Sequence, residues 1–218
     1  MTKRLPSCLT PQEVFALTSW EPADPLSLRN LCMIRLMTNA GLRSKEVLGL
    51  KVEDLDLDTG RLLVAQGKGG RQRSVWIGED DLALVRRWLL ARQEIAKPGC
   101  DHLFVARHGW GMQPRNLRKM VKAVALMVGI VRDVHPHMLR HTFATDLLRA
   151  TKNLRLTQKA LGHAHIATTT IYTHIVDEEL EEAMKGLRAG GAGASKTPAL
   201  PKAKTSRRKR HKSPSLQD

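Results

Sequence analysis

Tyrosine is almost missing from this chain: its 218 residues hold one, Tyr172. Any chemistry that needs a phenolic oxygen therefore has a single candidate. Cysteine is equally sparse. Cys8, Cys32 and Cys100 are odd in number and widely spaced, so they make no disulfide framework and no CxxC metal pair; they read as free thiols in a reducing compartment. No apolar run is long enough to cross a bilayer, and the opening MTKRLPSCLT lacks a secretory apolar core. The expectation is a cytoplasmic protein with no membrane partner. Internal repeats are absent too, and the length suits one domain, or one domain with tails.

Acidic residues are outnumbered, 21 against 36 Lys and Arg, for a net charge of +15. Residues 189–218 carry eight of the basic residues (Lys196, Lys202, Lys204, Arg207, Arg208, Lys209, Arg210 and Lys212) and one acid, Asp218. That stretch holds +7, which leaves +8 on residues 1–188. A basic body as well as a basic tail favours a polyanionic partner, nucleic acid first.

Helical signals dominate. Thr10-Pro11-Gln12-Glu13 reads as a capping box with proline at the first helical position, and Asp24-Pro25 as a second start. Leu26 to Met37 is apolar nearly all round, which predicts a buried helix ending near Asn39-Ala40-Gly41. A short helix follows through Glu46, Val47 and Leu50. Between Val52 and Ile77 the pattern changes: turns at Asp58-Thr59-Gly60 and Gly67-Lys68-Gly69-Gly70 separate β-branched and apolar runs. A small antiparallel sheet of two or three strands is expected there. Further helices are predicted over 80–96, 114–128, 138–150, 153–161, 166–173 and 176–188, with Gly129 and Gly162 placed as C-terminal glycines. Residues 1–8 read as a short lead, 9–188 as one mainly α domain with a small antiparallel sheet, and 189–218 as a disordered basic tail.

Several pieces could carry chemistry, each with an ordinary alternative. On a helix starting near Met138, His137, Arg140 and His141 share one face, which suits an anion because arginine offers a planar fork of donors. The same residues could form a solvated basic face, or His135, His137 and His141 could bind zinc, although no Glu or Cys stands at metal-site spacing. Gly67-Lys68-Gly69-Gly70 is not a phosphate loop of the Walker type; it reads as a hairpin turn whose lysine can reach into a groove. Arg43 and Glu46 stand one helical turn apart, as an ordinary surface pair would. Tyr172, taken alone, reads as a half-buried residue at a helix end.

Their order is more telling than any one of them. From about Leu9 to Leu187 the chain resembles the tyrosine recombinase (phage integrase) family. Gly41-Leu42-Arg43-Ser44-Lys45-Glu46 resembles the family's first arginine box, Gly67-Lys68-Gly69 its lysine hairpin, His137-Met138-Leu139-Arg140-His141 its second box, and Leu161-Gly162-His163 the next. Tyr172 follows His163 by nine residues, where the family keeps its nucleophile. The resemblance implies the tyrosine recombinase catalytic-domain fold. It implies Arg43, Lys68, His137, Arg140, His163 and Tyr172 as catalytic, with Glu46 as the acidic neighbour of Arg43. It also implies DNA cleavage and rejoining through a 3′-phosphotyrosine, without ATP, metal or other cofactor. The implied partners are double-stranded DNA and a homotetramer on two DNA sites. The family usually has an N-terminal clamp domain, but only about eight residues precede the first helix here. The expectation is that the basic tail or a helper DNA-binding protein substitutes for it. Two other readings stay open: a type IB topoisomerase, which shares the chemistry, and a non-catalytic DNA-binding accessory protein.

Overall fold

Local sequence signals fix where most helices begin. In a computed structural model, which describes residues 8–65, 72–162 and 184, helix α1 spans Pro11–Thr18. The Thr10 hydroxyl accepts from the Glu13 amide at 3.2 Å while the Glu13 carboxylate accepts from the Thr10 amide at 2.7 Å, so both halves of the capping box form. Glu13 also pairs with Arg132, whose hydrogen bond is the main reason its carboxyl sits below the ordinary range. Helix α2, Pro25–Asn39, starts under Asp24, which accepts from the Leu26 and Ser27 amides at 2.9 and 3.1 Å. By internal contacts the chain divides into Met1–Asp177 and Glu178–Asp218; of the second unit only Met184, half exposed, is described.

α2 is the axis of the first unit. Nine of its fifteen residues are buried, as its nearly all-round apolar sequence demands, and it packs against α1, α3, α4, α5 and α6. α3 spans Ser44–Gly49, α4 Glu79–Gln93, α5 Pro114–Met127, α6 Pro136–Thr151 and α7 Leu154–Leu161. Asp81 on α4 is buried and accepts from both Arg35 and Asn39 on α2, so its side chain is partnered rather than stranded. Trp88 of α4 fills the core beside Phe104, and its indole N–H donates to the Leu103 carbonyl at 2.9 Å. A smaller cluster of Ala144, Leu148 and Leu161 joins α6 to α7.

The sheet has two antiparallel strands among the described residues. β1, Arg61–Ala65, pairs with β2, Gln72–Trp76, in the register Arg61 opposite Trp76 through Ala65 opposite Gln72. Two or three strands were expected between Val52 and Ile77; besides β1 and β2 that stretch holds the isolated antiparallel bridge of Leu55 with Leu62. α4 ends at Gln93, short of the Ala96 that the apolar pattern suggested. α6 begins at Pro136 rather than near Met138, because the His135 side chain caps it, accepting from the Met138 amide at 3.3 Å. The helices expected at 166–173 and 176–188, and the basic tail, fall outside the described residues, Met184 excepted.

Gly41 joins α2 to the site. Its φ is +63°, and a Cβ there would overlap the Phe143 ring of α6, so only glycine leaves room for that ring. Gly41→Ala therefore combines a left-handed backbone with an overpacked contact and is expected to lose roughly 2–4 kcal/mol in urea unfolding. Adding Phe143→Ala should recover part of that loss in a double-mutant cycle; strict additivity of the two would contradict the packing.

Candidate active site

Three arginines from three elements converge on one carboxylate. Arg43 precedes α3, and its backbone N–H donates to Glu46 at 2.7 Å while its guanidinium donates to the other carboxylate oxygen at 2.7 Å. Arg73 on β2 grips the same carboxylate with both terminal nitrogens, at 2.7 and 2.9 Å. Arg140 on α6 lies 3.6 Å away. The Glu46 side chain is only 7% exposed, so the pair with Arg43 is not the surface pair that its spacing suggested. Burial alone would raise its pKa. The paired bonds from Arg73, the Arg43 amide and the nearby positive charge outweigh burial and pull it down to about 2.

The same guanidinium groups close the end of α7. Arg73 Nε donates to the Ala160 carbonyl at 3.0 Å, Arg140 to Leu161 at 2.7 Å, and Arg43 to Gly162 at 3.4 Å. Arg140 also donates to the Gly41 carbonyl. These carbonyls form the negative end of a helix dipole, so cations belong there. Three positive charges against one carboxylate leave an excess that suits an anion.

Beside this cluster an open pocket of about 490 Å³ is lined by Arg43, Lys45, Arg118, His135 and His137, with Pro114 and Pro136 marking the first residues of α5 and α6. Among the described residues none of its lining groups is an acid. Two helix N-termini and three permanent cations make it attractive to phosphate. Burial holds the His135 imidazole below its ordinary pKa, which keeps it available as the α6 cap.

The structure thus brings together Arg43, Glu46 and Arg140, with Arg43 and the exposed His137 at one pocket. His137, Arg140 and His141 do not share a solvated face, since the Arg140 side chain is 9% exposed. Nor do His135, His137 and His141 assemble a metal site; among the described residues no three His, Cys, Asp or Glu do. Lys68, His163 and Tyr172 lie outside the described residues. Sequence reasoning missed Arg73. Its signal was register: it pairs with fully buried Val64, and an arginine on the inward face of a strand needs a buried acid.

The phage integrase family profile matches residues 7–179. The chain belongs to the phage integrase family. A tyrosine recombinase XerC from Xanthomonas axonopodis pv. citri is 38% identical over 173 residues, covering 79% of this chain and 55% of that protein. A tyrosine recombinase XerD from Halalkalibacterium halodurans is 40% identical over 184 residues, covering 83% and 61%. The chain thus spans between half and two thirds of the length of these relatives. The crystal structure of XerA recombinase matches with a TM-score of 0.73 at 32% identity, covering 85% of this chain and 66% of that one. XerH recombinase, bound to its palindromic difH substrate after cleavage, matches at 0.71 and 34%, covering 83% and 53%. The integrase-family fold is therefore the mainly helical one with a small antiparallel sheet. No helix among the described residues is long and apolar enough to cross a membrane.

Glu46 gives this family member a measurable acid signature. Its pKa is depressed in the folded state, so its stabilisation is present above the ordinary value of 4.5 and fades as pH falls towards 2. A shift of that size corresponds to about 3 kcal/mol. Urea unfolding across pH 5 to 2 should show a flatter pH dependence for Glu46→Gln, together with a loss of roughly 3–5 kcal/mol at neutral pH from the stranded arginines. Parallel pH curves for the two proteins would refute this account.

Proposed function

We propose that this chain is the catalytic part of a site-specific DNA recombinase that cuts and rejoins DNA through a 3′-phosphotyrosine. The observation that carries the proposal is the convergence of Arg43 and Arg140 on Glu46, beside an acid-free pocket that also holds His137. A phosphodiester resists attack because charge on its oxygens grows in the pentavalent transition state, and fixed donors aimed at those oxygens lower that barrier. Arg43 and Arg140 are held in place before any anion arrives, and each terminal nitrogen of a guanidinium carries two hydrogens. A nitrogen that donates to a carbonyl or to Glu46 can thus also serve a phosphate oxygen.

In this reading Tyr172 Oη attacks the phosphorus, forming a phosphotyrosine bond as the bond to the 5′-oxygen breaks. The tyrosine proton passes to His137, which the pocket leaves exposed, and Lys68 protonates the leaving 5′-oxygen. His163 adds a further donor to the phosphate. The bond energy stays in the phosphotyrosine, and a 5′-hydroxyl from a second duplex attacks it to rejoin the strands. The arginines carry the charge stabilisation, so the proposal invokes no metal and no nucleotide. The kinship with XerC, XerD, XerA and XerH favours partner exchange over simple relaxation of supercoils.

Double-stranded DNA is the proposed partner, bound by a homotetramer on two sites. Val176, Leu180, Met184 and Leu187 recur at helical spacing and supply an apolar stripe for contact between subunits. The decisive measurement uses a nicked suicide duplex. Wild type should accumulate a covalent protein–DNA adduct and Tyr172→Phe should give none. With no second tyrosine in the chain, an adduct in the Phe protein would end the reading.

The basic residues Lys196, Lys202, Lys204, Arg207, Arg208, Lys209, Arg210 and Lys212 supply sequence-independent affinity in this proposal. Each phosphate they neutralise adds about 0.9 to the log–log salt slope. Removing residues 189–218 should weaken specific and random duplexes by similar factors and flatten that slope by several units. An unchanged slope would mean that the tail does not touch DNA and would direct the search to a helper protein.

A further inference from the structure

Arg73 stands apart from the residues that the family resemblance singles out, yet its side chain is among the most completely engaged in the structure. It is 8% exposed and makes three hydrogen bonds: two to Glu46 and one, through Nε, to the Ala160 carbonyl. Its strand pairs with β1 in a register that leaves Lys68 in the segment joining them. Its carboxylate partner holds Arg43 and lies beside Arg140. The carbonyl it grips lies at the end of α7, two residues before Gly162 and three before His163.

The geometry points to Arg73 as a positioning residue that sets strand β2, the arginine pair and the end of α7 in one fixed arrangement. This inference rests on the recombinase reading, because that reading gives those three segments a common task. Arg73 is well placed to be the link. Arg43 and Arg140 flank the same carboxylate, but neither stands on the hairpin. The fork shape matters as much as the charge: Arg73 meets two carboxylate oxygens and one carbonyl with three nitrogens in a plane. A lysine ammonium at that position keeps the charge but cannot reach all three acceptors in that geometry. A displacement of about 1 Å in a reacting group costs on the order of a hundredfold in rate.

The test compares full-length wild type, Arg73→Lys, Asp81→Asn and Tyr172→Phe. Three quantities are measured: duplex affinity, the single-turnover rate of adduct formation at saturating suicide duplex, and the thermal midpoint. Arg73→Lys should slow adduct formation by roughly tenfold to a hundredfold while its Kd stays within about threefold of wild type. Asp81→Asn weakens the α2–α4 contact far along the fold. It should lower the midpoint yet cleave at a rate near wild type well below that midpoint, which separates positioning from mere stability. Arg73→Lys cleaving like wild type, losing affinity and rate equally, or failing to fold at any temperature where wild type cleaves would each overturn the proposal.

Amide hydrogen exchange separates this inference from the reading beneath it. If wild type forms no adduct, the recombinase reading fails. Exchange across residues 158–163 still decides whether Arg73 fixes the end of α7. It should quicken there in Arg73→Lys and stay unchanged in Asp81→Asn; protection equal to wild type in Arg73→Lys would refute the positioning role.

Discussion

The buried carboxylate of Glu46 and the guanidinium groups around it depend on each other. A carboxylate removed from water stays ionised only with donors on its oxygens, and Arg73 and Arg43 provide four. Three arginines, in turn, would repel one another without the acid between them. Satisfying one carboxylate therefore fixes the turn after α2, a strand and the second turn of α6 in mutual register. Those segments are remote in sequence, so no local propensity could align them. Losing Glu46 would leave Arg73 and Arg140 charged and buried without their shared acid.

The cluster also explains how a site rich in positive charge can exist before its anion does. Backbone carbonyls of Gly41, Ala160, Leu161 and Gly162 act as stand-in acceptors. They orient the guanidinium groups without adding the negative charge that would compete with a phosphate. Donors aimed in advance need little rearrangement when charge develops, which is the condition under which electrostatic stabilisation is most effective. The pocket beside them continues the same logic with Lys45, Arg118 and the first turns of two helices.

Local features were readable from sequence and long-range ones were not. Thr10 and Asp24 cap their helices as their neighbours imply, because a cap depends on three or four consecutive residues. The start of α6 was read two residues late because a histidine ring nitrogen replaces the usual oxygen cap. Arg43, Glu46 and Arg140 were singled out through motif order, yet the depth of Glu46 was not, since its partners Arg73 and Arg140 come from far along the chain. Arg73 falls in none of the motifs that the sequence offers; its register with buried Val64 marks it as facing inward. Lys68, His163 and Tyr172 rest on motif spacing alone.

α7 is held at both ends, and that makes it a molecular ruler. Its start is set by the left-handed Lys152 that stops α6 and by Asn153, whose side chain accepts from the Leu156 amide at 3.0 Å. Its finish is set by the three arginines. One added residue would advance the helix by about 1.5 Å and turn its last carbonyls by about 100°, away from every donor that waits for them. The eight residues of Leu154–Leu161 are therefore a length the fold must keep.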